Sequence, residues 1–406
     1  MIPRPPHPAL ILALLLLPPG LCPAFLGLGG KKAPSPSAIV STDHLPRLRV
    51  GSFTGSTGAS AQKSLTEELQ RARAFDVIPP GTEPDSKEAG YEISGESVGG
   101  RVYGRLKNSA GKTLFERSYA APGIDENLQA LSDDLIFAIT GKPGIATSRI
   151  VFVSNHSGVK QVYLCDADGG NIQQVTRHRH GAVSPALSPD ASLLAFTSYR
   201  TGFPEVTLMD LGGGMERVVT DTPGANFGAA FAPDGRHLAM VMSFLGNPEI
   251  FVTDLSTNSA GCLTESIGVP CSPTWSPSGT RLAFSSDEGK GLQLYVMDFG
   301  SEKSPGSFQK LSIGYRFATD PAWSPDGSQI AFTARSRSAW IVAVKDYPTG
   351  KTRVIQRGAS HPSWSPNGRY LIYTQNGDLY RHDLVTGARR LLVSDFGEVS
   401  EPHWMN

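Results

Sequence analysis

From residue 149 onward the chain alternates short apolar runs with clusters of turn residues. Leu282-Ala283-Phe284-Ser285 is representative: Leu282 and Phe284 fall on one face of a strand, Ala283 and Ser285 on the other. The run follows Pro273-Thr274-Trp275-Ser276-Pro277-Ser278-Gly279, and the same arrangement returns at Pro321 to Phe332 and at Pro362 to Tyr373. Weaker copies lie at Pro185 to Asp190 and at Phe231 to Gly235, and Pro402-His403-Trp404 is a closing fragment. The second proline of each full copy falls at 189, 233, 277, 325 and 366, so the steps are 44, 44, 48 and 41 residues. A recurring interval of this size marks a repeat array.

Each repeat predicts two strands joined by a Pro-Asp-Gly type turn. Proline presets φ, Asp or Asn bonds its own backbone, and Gly accepts positive φ. A third strand ending in Asp follows, as in Leu294 to Asp298, Ile250 to Asp254 and Val162 to Asp166. A short fourth strand ends near Thr176 or Thr220. Four strands per repeat predict a β-propeller blade. Inner-strand signatures at Leu187, Phe231, Trp275, Trp323, Trp364 and Trp404 number six, and the last has no chain left for a blade. Arg149 to Ser154 reads as a second strand without a first. The two fragments complete one another, so residues 149–406 are expected to form six blades, the C-terminal strand closing the first. Such closure leaves no open edge, and a monomer is expected.

The region before the array has a different rhythm. Leu48 to Phe53, Phe75 to Ile78, Tyr91 to Gly95, Arg101 to Leu106 and Thr113 to Ala120 read as strands, the last two as a hairpin. Ala61 to Arg73 reads as a helix through Leu65 and Leu69, and Ile124 to Thr140 as a second helix stopped by Gly141. Residues 41–148 are therefore expected to be a small α/β domain. Residues 25–40 are rich in Gly, Ser, Pro and Lys and read as a flexible arm. Residues 1–24 read as a secretory signal: Arg4, the apolar run Ala9 to Leu17, then Cys22-Pro23-Ala24 with cleavage after Ala24. No later segment is apolar enough to span a bilayer.

Composition narrows the function. A formal net charge of +0 with 18% charged residues leaves no electrostatic footprint for nucleic acid. Gly95-Glu96-Ser97-Val98-Gly99 matches G-x-S-x-G, but a strand rather than a helix follows it, and no hydrolase-sized domain accompanies it. Ser97 is read as part of a glycine-rich β turn, not as a nucleophile, and the protein as a non-enzyme. His178, His180, His361 and His403 lack metal-ligand spacing and are read as solvated loop residues. Asp166-Ala167-Asp168-Gly169-Gly170-Asn171 lacks the further ligands of a calcium loop and is read as a hairpin turn. No cofactor or metal is expected. Cys165 falls at a core-like strand position; the spacing of Cys262 and Cys271 permits a disulfide after export without establishing one.

The order of signal, small α/β domain and Trp-Ser-Pro-Asp-Gly repeats resembles the TolB family. Gly90 to Gly95 is similar to a strand of that family's small domain. Asp133 to Ile145 is similar to its second helix and junction, and Ser148 to Ser154 with Asp166 to Asn171 to its first blade. Two repeats depart from the pattern: Ala191 replaces Gly in one, and Ala229 and Phe231 replace Pro and Trp in the next. The resemblance implies a non-enzymatic periplasmic scaffold of a Tol–Pal-like envelope complex. It implies a Pal-like lipoprotein at one mouth of the propeller, a TolA-like inner-membrane protein at the N-terminal arm, and a role in outer-membrane integrity and constriction. Two other readings are a propeller for a cell-wall or polysaccharide ligand and a peptidase-type propeller lacking its catalytic domain.

The connections entering the inner strands converge on one mouth. They carry Ser184, Asn226, Phe227, Ser272, Thr319, Asp320, Ser360, His361 and Glu401, which are expected to form the partner-docking surface.

Overall fold

The computed structural model describes residues 45–82, 89–220, 222–265, 268–288, 291–299, 308–311, 313–337 and 339–405. The expected signal and arm, residues 1–40, lie outside them. The described residues form one five-stranded sheet and six four-stranded sheets.

The first sheet holds β1 (Arg47–Thr54), β2 (Asp76–Ile78), β3 (Tyr91–Val98), β4 (Arg101–Asn108) and β5 (Thr113–Tyr119) in the order β2-β1-β3-β4-β5. Helices α1 (Gly58–Ala72) and α2 (Ile124–Thr140) cover one face of it. Leu65 and Leu69 of α1 and Leu128, Leu131 and Leu135 of α2 are buried against Leu48, Val50, Ile93, Val102 and Leu106. Their i, i+3, i+4 and i+7 spacing is what places them on one stripe. Gly95 pairs with Gly104 across β3 and β4, and a Cβ at Gly104 would come within 2.7 Å of Leu131. Glycine is needed there for α2 to reach the sheet. Ser97 lies within β3, wholly buried, with its hydroxyl 2.7 Å from that of Thr57. The turn expected at Ser97 is made by Gly99 and Gly100, and β4 follows, so the nucleophile-elbow geometry is lacking.

The other six sheets are the blades. Blade one is built from the inner strand Ser400–Met405, then Arg149–Ser154, Gln161–Asp166 and Gln173–Gln174. The C-terminal strand thus completes the first sheet as the repeat count required, pairing antiparallel with Arg149–Ser154. Trp404 reinforces the closure by donating its indole N–H to the Ser148 hydroxyl at 2.8 Å. The inner strands of blades two to six are Ala182–Leu187, Asn226–Phe231, Pro270–Trp275, Ala318–Trp323 and Ala359–Trp364.

The second strand of each blade is buried on both faces, and its alternation decides which neighbour each side chain meets. Leu282 and Phe284 of blade four pack against Ala239, Val241 and Val252 of blade three. Ala283 faces the other way, against Trp323 and Ile330 of blade five. In this blade the large residues meet the preceding blade and the small one the following blade, whose Trp323 fills the space; blade six differs, turning Tyr370 and Ile372 toward blade one. Burying each such aromatic contributes about 1.5–3 kcal/mol.

The repeated turn has its own logic. The hydroxyls of Ser276, Ser324 and Ser365 accept the backbone N–H of Arg281, Gln329 and Tyr370 at 2.9–3.0 Å. Gly235, Gly279, Gly327 and Gly368 all have φ near +70°. A Cβ on each would sit 3.3–3.8 Å from the turn proline of the preceding blade, so the turns stack around the ring. Ala191 holds the same place with φ 54. It is an L residue in a conformation that glycine favours.

Candidate functional site

The expected docking residues lie inside the inner strands rather than in the loops before them. The reason is a β-bulge repeated in all six blades. The register between first and second strand slips at Ala195/Thr197, Phe227/Ala230, Cys271/Thr274, Thr319/Ala322, Ser360/Ser363 and Ser400/His403. At each slip one residue adopts positive φ: Ser184 (52), Gly228 (66), Ser272 (50), Asp320 (50), His361 (54) and Glu401 (50). Five of these precede a proline, which has no N–H to lose from the ladder. In blade three the proline is replaced by Ala229, and there the positive-φ residue is Gly228. One departure from the repeat consensus is thus accompanied by a residue that removes the strain.

The bulges are tied to neighbouring blades. Gly228 donates its N–H to the Thr197 hydroxyl at 3.1 Å, and His361 to that of Thr333 at 2.9 Å. Thr197 and Thr333 pair with the residue just before the bulge in their own blades. Val153 takes that place in blade one, with no hydroxyl to offer. The Glu401 carboxylate substitutes, accepting the Ser184 N–H at 2.6 Å. The Ser272 hydroxyl lies 3.4 Å from Asp320 Oδ1, and His361 Nε2 lies 3.9 Å from Asp320 Oδ2. Ser360 Oγ is 3.0 Å from His361 Nδ1.

Ser184, Phe227, Ser272, Thr319, Asp320, Ser360, His361 and Glu401 are all partly exposed. Asn226 is not available as a contact: it is 1% exposed and donates from Nδ2 to Thr222 C=O at 3.0 Å. The polar first position of that strand closes its own loop instead of lining the mouth.

The strands alternate in direction, so the connections between second and third strands lie at the same leading end of the ring as the bulges. Ser198 is paired with Ala182, for example. These connections expose Phe203 and Leu245, and Trp340 is exposed near the tip of the corresponding hairpin in blade five. Sequence reasoning passed over all three. Their signal was a bulky apolar residue in an otherwise polar connection.

The solvated-loop reading fails for three histidines. His178 is buried, with Nδ1 2.7 Å from Ser198 Oγ and Nε2 3.1 Å from Glu216. His361 belongs to the bulge ring. His403 accepts the Leu187 N–H on Nδ1 at 3.3 Å, and burial pulls its pKa down to about 4. Each is used as a hydrogen-bonding group between strands or blades. Cys262 and Cys271 stand on successive blades and are not disulfide-linked. Burial, with Asp320 nearby, pushes the Cys271 thiol up to about 11. Asp166 to Asn171 forms the expected hairpin turn, with Gly169 and Asn171 at positive φ. Among the described residues no cluster of three or more His, Cys, Asp or Glu could hold a metal ion.

Comparisons place this architecture among known proteins. A TolB homolog of Chlorobium chlorochromatii is 40% identical over 119 residues, covering 24% of this chain and 27% of the relative. The Tol-Pal system protein TolB of Geobacter metallireducens is 29% identical over 204 residues, covering 44% of this chain and 47% of the relative. The matches thus span less than half the length of these curated relatives. The crystal structure of TolB from Acinetobacter baumannii superposes with a TM-score of 0.73 at 28% identity, covering 89% of this chain and 97% of that one. The model of the TolB beta propeller domain matches residues 137–406, and the chain belongs to the TolB family.

Proposed function

We propose that the protein is a non-enzymatic periplasmic component of a Tol–Pal-type envelope system and that its leading end docks a Pal-like lipoprotein. The observation that carries the reading is the bulge ring. Five strained non-glycine residues, each costing about 1–2 kcal/mol, are retained at one end of one channel. They bring polar groups of several blades to a common mouth, held by bonds between blades. The exposed Phe203, Leu245 and Trp340 at the same end supply apolar anchors of the kind that dominate docking energies. Docking there supports outer-membrane integrity and constriction at division by linking envelope layers. A TolA-like partner would engage the arm at 25–40, outside the described residues.

The test is binding of the purified chain to a Pal-like lipoprotein. Thr319→Arg and Ser272→Arg put bulk and charge into the mouth and should weaken binding at least about tenfold, a loss of the size seen when an interface anchor is disrupted. Their folding is checked by melting. If both bind like the parent chain while Lys351→Glu, in an exposed turn at the opposite end, abolishes binding, the docking surface is misplaced.

A further inference from the structure

A second site lies at the opposite end of the ring, between α1 and blade six. There the third strand Asp378–Asp383 and the fourth strand Arg389–Val393 form one wall. The last turn of α1 forms the other. The contact is anchored by Arg369, which donates to the carbonyls of Ala72 and Arg73 at 3.3 and 2.8 Å and pairs with Asp383 at 2.9 Å. Beside this anchor is a cavity of about 670 Å³.

Its charge is one-sided. Arg71, Arg73, Arg381, Arg389 and Arg390 line it, against the carboxylates of Glu67 and Asp383. Asp383 is already taken by Arg369, and Arg71 is paired with Glu68 at 3.4 Å. Among the described residues no carboxylate is ion-paired to Arg73, Arg381 or Arg390. Arg381 is the most informative. It lies 4.9 Å from the Tyr370 ring centroid, and its one backbone partner is the Ala167 carbonyl at 3.4 Å. The Asp383 and Asp168 carboxylates act on it only from beyond ion-pair distance, so this part-buried guanidinium lacks a contact counter-ion, and packing further guanidinia around it adds repulsion.

We propose that this groove binds a small phosphate-bearing polyanion. Guanidinium forks match phosphate and carboxylate oxygens in pairs. Here, however, donors come from two opposed walls. A carboxylate offers two oxygens on one edge, whereas a phosphate monoester presents three oxygens and a charge near −2 to donors on several sides. The volume falls within the range of small-molecule sites, so there is room for a second phosphate or a sugar besides the first. A ligand bridging the walls also ties α1 to blade six, in parallel with Arg369.

The experiment titrates the purified chain with inorganic pyrophosphate and, separately, with a hexose bisphosphate at low salt, reading heat of binding and melting temperature. Saturable binding with a raised melting temperature is expected for at least one. Arg390→Gln, at an exposed position, and Arg381→Gln should each weaken it by about tenfold or more, as loss of a charged hydrogen bond does. Tighter binding of the hexose bisphosphate assigns the site to phosphorylated sugars, and tighter binding of pyrophosphate to inorganic phosphates. The proposal is overturned if neither ligand binds saturably or if both substitutions leave binding unchanged. It is also overturned if citrate or an acidic peptide binds as tightly through the same arginines.

Discussion

The two ends of the propeller solve the same backbone problem with different residues. At the turn end, blades two to six reverse through a positive-φ position, and glycine holds it in four of them, at 235, 279, 327 and 368. At the leading end, each inner strand bulges through a positive-φ position, and glycine holds only Gly228. Ser184, Ser272, Asp320, His361 and Glu401 hold the rest. Turn-end glycines are relaxed and pack on the proline of the preceding blade. The leading-end residues carry strain and present side chains. Strain at one end and relaxation at the other is what the proposed docking role would require of the leading end.

Four changes would break or sharpen that contrast. The largest effect is expected from deleting Ser400 to Asn406, which strips blade one of its inner strand and buried Trp404. The melting temperature should fall by on the order of 10 °C or the chain fail to fold. An unchanged melting curve would show that the ring does not depend on closure.

The next concerns His403, whose pKa of about 4 lies below its ordinary value of 6.5 because burial disfavours the charged ring. Above pH 6.5 the ring is neutral in both folded and unfolded chains. As the pH falls from 6.5 to about 4 the unfolded chain takes up the proton and the folded one does not, so stability is lost across that window. Because His403 is only partly buried, the loss is reduced by solvent to about 2 kcal/mol. His403→Gln should flatten the slope of denaturant midpoint against pH; an equally steep slope in the variant would assign the loss to other groups.

At the turn end, Gly327→Ala should destabilise by about 1–2 kcal/mol, because φ is 70 and the new Cβ would meet Pro277 at 3.3 Å. A neutral result in chemical denaturation would remove the distinction between the ends. The smallest effect comes from a pair. Ala191→Gly and Ser184→Gly each relieve one positive φ and should stabilise by about 0.5–1 kcal/mol. Only the second should weaken binding of a Pal-like partner. Equal loss of binding from both would argue against a functional role for the strain.

Much of the architecture was legible because it rests on local rules. The period-two alternation of Leu282 to Ser285 predicted which side chains share a face, though not which blade each face meets. The recurring Pro-Asp-Gly turns predicted strand reversals, and the unmatched Arg149 and Trp404 segments predicted closure. The helices ended near Arg73 and at Thr140, as the pattern implied.

Other features depended on packing between segments far apart in the chain. Nothing local says that Ser-Pro, Asp-Pro, His-Pro and Glu-Pro pairs lie within strands as left-handed bulges, because a residue before proline ordinarily favours extended backbone. Bonds from neighbouring blades hold that conformation, from Thr333 at His361 and from Glu401 at Ser184. Asn226 looked like its neighbours in the repeat, yet only the folded loop shows its amide spent on Thr222. The histidines looked solvated because a single sequence cannot report burial between blades. The arginine groove brings Arg71 and Arg73 to Arg381 and Arg390, more than 300 residues later. Periodicity and turn chemistry act over a few residues and are written in the sequence. Which charges converge, which hydroxyls face a bulge and which strain is tolerated are decided by contacts between blades, and so only by the tertiary structure.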